Sequence, residues 1–489
     1  MSKEAVCGRI SGDKTGGLRC FRTQGPSGKQ KRGPFVSNTA PTPRREIAFS
    51  NKELFRLIWP LIIEQFLAIA VGLADSVMVA RVGESAVSAV SLVDTINVLL
   101  INAFTALAAG GAVVSGQYIG RVEWKKANNA AEQLLVFMGV LSLAVTGVLY
   151  AVRNPILHGL FGAIEPDVMA YANTYFVIVE ASIPFMALYA AGAAIFRVMG
   201  DSGTAMRISL LVNGINLAGN ALLIYGLHRE VEGVAIPTLV SRMVGAVVVL
   251  ALLSQQQLPL HISRPFRYRY DAAAIRSILR LGVPGGVESS LFQLGKILLL
   301  STVSGFGTAA IAANAIGNTM ASFQVLAASS VGVGMVTVIS QCVGAGDYAG
   351  ARRYTRRLMA AAYLSMLACC LALFLLQPLI LQLYHVSDTA AGLANRILWM
   401  HGGFGVLLWP AAFTLPQALK AAGDTRYVMW VAVGSMWVFR ILFGIWFAHG
   451  LHYGVLGIWM AMFIDWTCRI LFFVPRYRSS RWESKALKE

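Results

Sequence analysis

Charge is what this chain has least of. Only 13% of its 489 residues are Asp, Glu, Lys or Arg, and 56% are hydrophobic, whereas soluble domains carry about 25% charge. A soluble core has no need of one apolar run of about 20 residues after another, and that length is what a bilayer crossing requires. Backbone groups in lipid must bond internally, which leaves helices or closed barrels. The runs lack the apolar–polar alternation of barrel strands, so they read as membrane helices. Cysteine is sparse as well. Of six, Cys342, Cys369, Cys370 and Cys468 lie in or beside apolar segments, while Cys7 and Cys20 lie near the start. None has CxxC or Cys/His spacing, which argues against a disulfide framework or a thiolate metal site.

Acidic residues are the scarcer sign, 24 against 41 Lys and Arg, for a net charge of +17. No aromatic-interleaved basic face accompanies that excess, so nucleic acid is not an expected partner. The bases gather instead in residues 1–47 and in alternate loops, where membrane orientation requires them. Residues 1–47 are polar, basic and rich in Gly, Ser and Pro, with no apolar core of a secretory signal. They are expected to be a disordered cytoplasmic tail. A catalytic triad, a metal cluster, a Walker-type phosphate loop and any cofactor motif are all missing from the pattern. The chain is therefore not read as an enzyme, and no cofactor is expected.

Twelve apolar segments can be drawn. Six run over about 54–80, 87–119, 132–152, 169–196, 205–226 and 233–255. Six more run over about 282–304, 308–343, 358–384, 393–418, 428–448 and 455–475. One set of loops receives Arg121, Lys125, Lys126, Arg197, Arg207, Arg269, Arg276, Arg280, Arg352, Arg353, Arg356, Arg357, Lys420, Arg426, Arg476 and Arg478, among others. The opposite set receives little beyond Arg81, Arg153, Arg229 and Arg396. By the positive-inside rule both termini are cytoplasmic.

The two halves repeat. At an offset of 224 residues Pro60 falls on Pro284, Glu64 on Glu288, Gly83 on Gly307, Gly110 on Gly334, Gln117 on Gln341 and Gly120 on Gly344. With one residue deleted, Gly200-Asp201 falls on Gly423-Asp424. Six helices per half is even, so both halves enter the membrane from the same side. They should be related by an axis along the membrane normal, with a cavity between them. The expected fold is all-α and integral to the membrane, with twelve transmembrane helices in two pseudo-symmetric six-helix lobes. The N-lobe spans 48–256, a cytoplasmic linker 257–275, the C-lobe 276–475 and a cytoplasmic C-terminal tail 476–489.

These repeated stretches resemble the multidrug and toxic compound extrusion (MATE) family. The carriers are Trp59-Pro60-Leu-Ile-Ile-Glu64-Gln65 followed by Leu73-Ala-Asp75 through Gly83, and Pro284-Gly-Gly-Val-Glu288 through Gly295 followed by Gly307 through Asn314. Arg197-Val-Met-Gly200-Asp201, Ser340-Gln341-Cys-Val-Gly344-Ala-Gly-Asp347 and Lys420-Ala-Ala-Gly423-Asp424-Thr425 are similar to the family's loop signatures. The ending, with Trp437, Arg440, Trp459 and Asp465-Trp466, also fits. Over about residues 50–480 the resemblance implies a V-shaped antiporter that exchanges protons or sodium for cationic or amphipathic compounds without ATP. It also implies a coupling role for the carboxylate at the position of Asp75.

A charge inside a membrane helix costs at least about 2.5–3.5 kcal/mol on insertion scales, so each needs a reason. Asp75 is either a helix-end carboxylate at the outer interface or the coupling carboxylate. Glu64 lies eleven residues earlier, about 20° past three full turns, and so shares a face with it. Glu64 and its repeat partner Glu288 read equally as helix-entry carboxylates held by loop arginines or as ion ligands. Asn213, Asn216 and Asn220 form one stripe, suited to coordinate an ion, bridge to a carboxylate or pack between helices. Some relatives of archaeal type carry a second Asp where Asn220 stands, so its absence weakens a two-aspartate proton relay. Glu180 is a further ion candidate of the same lobe, or a buried carboxylate paired to a neighbouring amide.

In the second lobe, Glu288 matches one half of the sodium site that the resemblance implies. The other half is incomplete, because the tenth segment offers His401 and no Asp. A sodium ion is thus expected only at Asp75 or Glu288. His401 reads best as a hydrogen-bonded structural residue, Lys296 and Arg440 as ion-paired cations, and Asp201 and Asp424 as loop-ordering groups. Trp409, Trp430 and Trp437 suit an interfacial belt more than a cavity wall.

Together these expectations describe a monomeric secondary antiporter of the cytoplasmic membrane. Its partners are the lipid bilayer and a small organic substrate, cationic because acids (Glu64, Asp75, Glu180, Glu288) outnumber bases (Lys296, Arg440). The alternatives are a flippase for lipid-linked precursors, which needs a cationic cavity for a pyrophosphate, and a channel, which two rocking lobes disfavour.

Overall fold

The computed structural model describes residues 46–487 except 162–164, 264–267 and 384–385. The basic tail, with Cys7 and Cys20, lies outside the described residues. What is described is helical, with no strand among those residues. The helices are α1 (Asn51–Ala80), α2 (Glu84–Gly120), α3 (Trp124–Ala151), the short α4 (Arg153–Phe161), α5 (Pro166–Glu180), α6 (Ile183–Val198), α7 (Ser202–Gly226) and α8 (Glu232–Leu253). The second half supplies α9 (Ala272–Ser304), α10 (Thr308–Gly344), α11 (Tyr348–Leu383), α12 (Asp388–Ala421), α13 (Thr425–Gly450) and α14 (Val455–Arg478).

Ten of these are long and apolar enough to cross a membrane singly, and α5 with α6, bent by 43°, makes an eleventh span. The remaining expected segment corresponds to α9, whose apolar run is interrupted by Arg276, Arg280, Glu288 and Lys296. These are the twelve expected segments.

Local sequence explains the boundaries. Ser50 caps α1 and accepts from the Glu53 amide at 3.2 Å, while the Ser50 amide donates to Glu53 Oε2 at 2.7 Å, a reciprocal capping box. Asp201 caps α7 and Asp271 caps α9 by accepting backbone amides. The repeat extends to backbone conformation. Gly200 and Gly423 have φ of +90° and +98°, values that residues with a Cβ rarely adopt. Each donates to the carbonyl three residues back, and the following Asp to the carbonyl five back. Asp201 and Asp424 do order these turns, the first by its cap on Thr204 and the second by pairing with Arg476 at 2.7 Å.

The lobes are not cut cleanly at the linker. Leu54 and Leu57 at the start of α1 are buried in a core made otherwise of α10, α11, α12, α13 and the C-terminal end of the chain. Ile278 and Leu281 at the start of α9 are buried in a core of α2, α3, α6 and α8. The first span of each half thus begins against the opposite lobe and ends in its own. Helix α2 crosses α9 and α10 crosses α1, and glycines set the approach: a Cβ on Gly110 would stand 2.5 Å from the Gly282 backbone. Residues 479–487, expected as a tail, also pack. Trp482 is buried, and Glu483 pairs with Arg352 at 2.7 Å.

Candidate functional site

Five helices of the N-lobe aim polar side chains at one another. Asn220 Nδ2 of α7 donates to Asp75 Oδ1 of α1 at 2.8 Å. Asn216, with its amide oxygen accepting from Thr238 Oγ1 at 3.1 Å, donates to both Asp75 oxygens at 3.2 and 3.3 Å. Asp75 therefore faces the lobe interior. The spacing of four puts Asn216 and Asn220 on one face of α7. Asn213 continues the stripe but bonds only to Ser209 of its own helix, at 3.4 Å.

Beside this pair, Asp94 of α2 accepts from Tyr175 Oη of α5 at 3.1 Å and from Asn97 at 3.3 Å. Glu180 is fully buried, and neither carboxylate oxygen has a hydrogen-bond partner among the described residues. No neighbouring amide pairs with it. Arg242 of α8 is within electrostatic reach of Asp94 and Glu180 and donates to Ser182 Oγ at 2.7 Å. Asp94 and Glu180 thus share one guanidinium, and Asp75 lies close enough to Asp94 to feel its charge. Asn220 Oδ1 and Asn97 Oδ1 are further buried acceptors without a partner among the described residues. The cluster is short of donors and of positive charge.

Glu64 and Glu288 are placed differently. Glu64 pairs with Arg197 of α6 at 2.5 Å, and Glu288 with Lys420 of α12 at 2.9 Å. Arg197 and Lys420 are themselves repeat partners, so the two ion pairs are equivalent by the pseudo-twofold. Glu64 and Arg197 line a cavity of about 470 Å³ between the lobes, whose other walls come from α2, α10 and α12. Trp409 lines this cavity too and stacks on Phe413 with centroids 5.1 Å apart. That corrects its expected place in an interfacial belt: the face of α12 that carries it turns toward α10, not toward lipid.

At the basic-loop end the lobes are bolted together twice by the same contact. Gln117 Nε2 donates to Ala421 O at 2.9 Å, and its repeat partner Gln341 donates to Val198 O at 2.8 Å. A Cβ on Gly120 would lie 2.0 Å from Gln341 O, and one on Gly344 2.0 Å from Gln117 O. The C-terminal segment joins in, with Leu487 N donating to Gln117 Oε1 at 2.9 Å.

The C-lobe has its own polar centre. His401 Nδ1 contacts Gln324 Oε1, and the ring sits edge-on to Trp459 and Trp466 at 5.7 and 5.4 Å. The hydrogen bond expected of His401 is present. Asp465 of α14 is held by Arg469 Nε at 2.9 Å and by Ser435 Oγ. Arg440 reaches its other oxygen at only 3.8 Å. Lys296 has no hydrogen-bond or ion-pair partner among the described residues, so the ion pairing expected of it is not seen there. Sequence reasoning overlooked Asp94, Arg242, Asp465 and Arg469 as intramembrane charges. The signal was available: each interrupts an otherwise apolar run and so carries an insertion cost.

This architecture defines a multi-pass membrane protein built from two like lobes around a central cavity, with no constellation that would hold a metal among the described residues. The family model described as MatE matches residues 60–222 and again 284–446, the same offset of 224, and the chain belongs to that family of membrane transporters. Among curated proteins it is similar to the uncharacterized transporter YisQ of Bacillus subtilis, 24% identical over 89% of this chain and 95% of that one. It is also 23% identical to a probable multidrug resistance protein NorM of Thermotoga maritima, over 91% and 96% of the two chains. A structure described as an outward-facing multidrug resistance MATE transporter superposes with a TM-score of 0.83 at 20% identity, over 88% of this chain and 96% of that one. A MATE structure in a straight conformation gives 0.82 at 20% identity, over 88% and 97%. At that identity the likeness shows the shared fold.

Proposed function

We propose that this chain is a secondary antiporter of the cytoplasmic membrane, exporting cationic or amphipathic organic compounds in exchange for protons or sodium ions, with Asp75 as the coupling carboxylate. The observation that carries the reading is the N-lobe cluster: Asp75 held by two α7 amides, next to Asp94 and Glu180, with Arg242 as the single nearby guanidinium. Burial disfavours uncompensated charge. A carboxylate that meets water in one state and is enclosed in another takes up a proton or cation on closing. Asn216 and Asn220 orient it, and the orphaned oxygens of Asn97, Asn220 and Glu180 offer further acceptors to that cation.

Transport proceeds by alternating access, the N-lobe (48–256) and C-lobe (276–475) rocking about the central cavity. The equivalent bonds from Gln117 and Gln341 support a state closed on the cytoplasmic side, where the positive-inside rule puts the basic loops and both termini. The relatives named as multidrug resistance proteins support a cargo of small organic molecules. The unit of function is a monomer, and no cofactor takes part.

The test is transport of ethidium in proteoliposomes with proton and sodium gradients imposed separately. One gradient should drive uptake by the wild type, and Asp75→Asn should reduce uptake to the level of empty vesicles while the protein remains folded. Wild-type rates in the Asp75→Asn variant would refute the reading.

A further inference from the structure

The two polar centres have opposite charge. Asp94 and Glu180 face one guanidinium in the N-lobe, with Asp75 beside Asp94, whereas Arg440 and Arg469 face the carboxylate of Asp465 in the C-lobe, with Lys296 beside Arg440. The pseudo-twofold sharpens the contrast, because Asp94 corresponds to Asn318 at the 224 offset and Arg242 to Asp465 at 223. Asp465 is in contact with Arg469 at 2.9 Å and is 3.8 Å from Arg440, so its charge is largely spent on Arg469. Arg440 and Lys296 are left with positive charge in surplus, and Arg440 Nε is buried without a hydrogen-bond partner among the described residues.

Both cations line one cavity of about 260 Å³ between α9, α10, α13 and α14, and no carboxylate lines it. Its other polar groups are amides. Trp459 Nε1 donates to Asn314 Oδ1 at 3.1 Å, the Asn314 NH₂ group has no hydrogen-bond acceptor among the described residues, and Gln293 adds another amide. The remaining wall is aliphatic and aromatic, from Ile297, Leu300, Val303, Ile458 and Trp459. Arg440 sits in the π-helical stretch Ser435–Leu442, a widening of the helix that is frequent at functional sites.

We infer that this cavity is a binding site for the carboxylate of an amphipathic organic anion or zwitterion, clamped between Lys296 and Arg440 with its apolar body against Ile458 and Trp459. Two membrane cations with only the Asp465 carboxylate, itself bonded to Arg469, to offset them are costly, and an entering carboxylate supplies a closer counter-ion through charge-assisted hydrogen bonds. The apolar wall selects an organic anion over a hydrated inorganic one. The inference deepens the export reading by naming a cargo class, but the binding event itself needs no transport.

The test is ligand-induced thermal stabilisation of the purified full chain in nanodiscs, with 1-naphthoate, the isosteric 1-naphthamide and chloride as probes. Naphthoate should stabilise the wild type saturably, and naphthamide and chloride at equal concentration should not. Lys296→Gln should weaken naphthoate at least tenfold and Lys296→Arg should restore most of the affinity, a rescue that a merely unfolded variant would not show. Asp75→Asn should bind naphthoate like the wild type although it fails in ethidium transport, so the two readings fail separately. Equal stabilisation by naphthamide, stabilisation by chloride that naphthoate does not exceed, or unweakened naphthoate binding to Lys296→Gln would each overturn the site.

Discussion

The N-lobe and C-lobe are one backbone used twice with its electrostatics reversed. Both begin with a proline-containing helix, close their turns with the same hydrogen bonds, and place an ion pair at the same depth, Glu64 with Arg197 and Glu288 with Lys420. In the interior they diverge: one lobe gathers Asp75, Asp94 and Glu180 with Arg242, and the other Lys296, Arg440 and Arg469 with Asp465. The repeat therefore governs packing, where glycines and small residues are needed for helices to cross. Interior charge is free to differ, because its partners are local to each lobe. A transporter with a donor-poor lobe and a carboxylate-poor lobe can treat its driving ion and its cargo in separate places.

The largest expected effect on this comparison is functional. Asp75→Asn keeps the α7 amides in reach but removes the charge, and coupled export should fall to background in reconstituted vesicles. Next comes Arg242→Gln, which leaves Asp94 and Glu180 uncompensated and should destabilise the fold by about 3 kcal/mol, the order found when one partner of a buried charge pair is removed. Arg440→Gln takes a cation from a centre that has it in surplus and should cost clearly less. Equal losses for the two variants in denaturation would mean that the charge imbalance between lobes has no energetic weight.

At the basic-loop end the lobes should respond alike. Gly120→Val and Gly344→Val each drive a side chain into a backbone carbonyl of the other lobe, so overpacking should cost about 1–3 kcal/mol in either. The buried Cys342 beside Gln341 should then react faster with a maleimide, read by mass spectrometry of the labelled peptides. Unchanged labelling in both variants would show that this crossing does not hold the end shut.

The smallest effect tests the repeat itself. The turn after α2 and the turn after α10 are closed by matching bonds, from Val122 and Glu123 in one and from Gly346 and Asp347 in the other. Val122 has φ of +64° where its counterpart Gly346 has +73°, a conformation that costs a residue with a Cβ about 1–2 kcal/mol. Val122→Gly should therefore stabilise by up to about 1 kcal/mol, the gain being trimmed by the greater chain entropy of glycine. A lower melting temperature would contradict it.

Particular residues show how far the sequence could be read. The amide stripe followed from spacings of three and four, and its contact with Asp75 from the rule that a membrane carboxylate turns inward. That Asn213 drops out of the contact was not legible, because Ser209 on the same helix satisfies it. Glu64 and Glu288 could be matched to each other by register, but their partners Arg197 and Lys420 lie more than a hundred residues away, and only the packing of α6 and α12 brings them in. Gln117 and Gln341 were visible as a repeated pair, whereas the carbonyls they bond, Ala421 and Val198, belong in each case to the opposite lobe. From the sequence Trp409 reads as an interfacial residue, because tryptophan is enriched at membrane–water interfaces. The rotation of α12 about its axis, which decides the matter, is a tertiary quantity.

Hydropathy, loop charge and the offset of 224 residues by themselves determined twelve spans, their grouping into two halves and the acidic candidate in the first helix. Those are properties of a segment in contact with solvent or lipid, and they sum along the chain. Only the tertiary structure decided that α1 and α9 start in each other's lobes, that the C-terminal residues bind over the junction, and that the interior charges sort by sign. Each of these depends on which distant groups meet at 3 Å in a medium of low dielectric, and no local count of residues contains that.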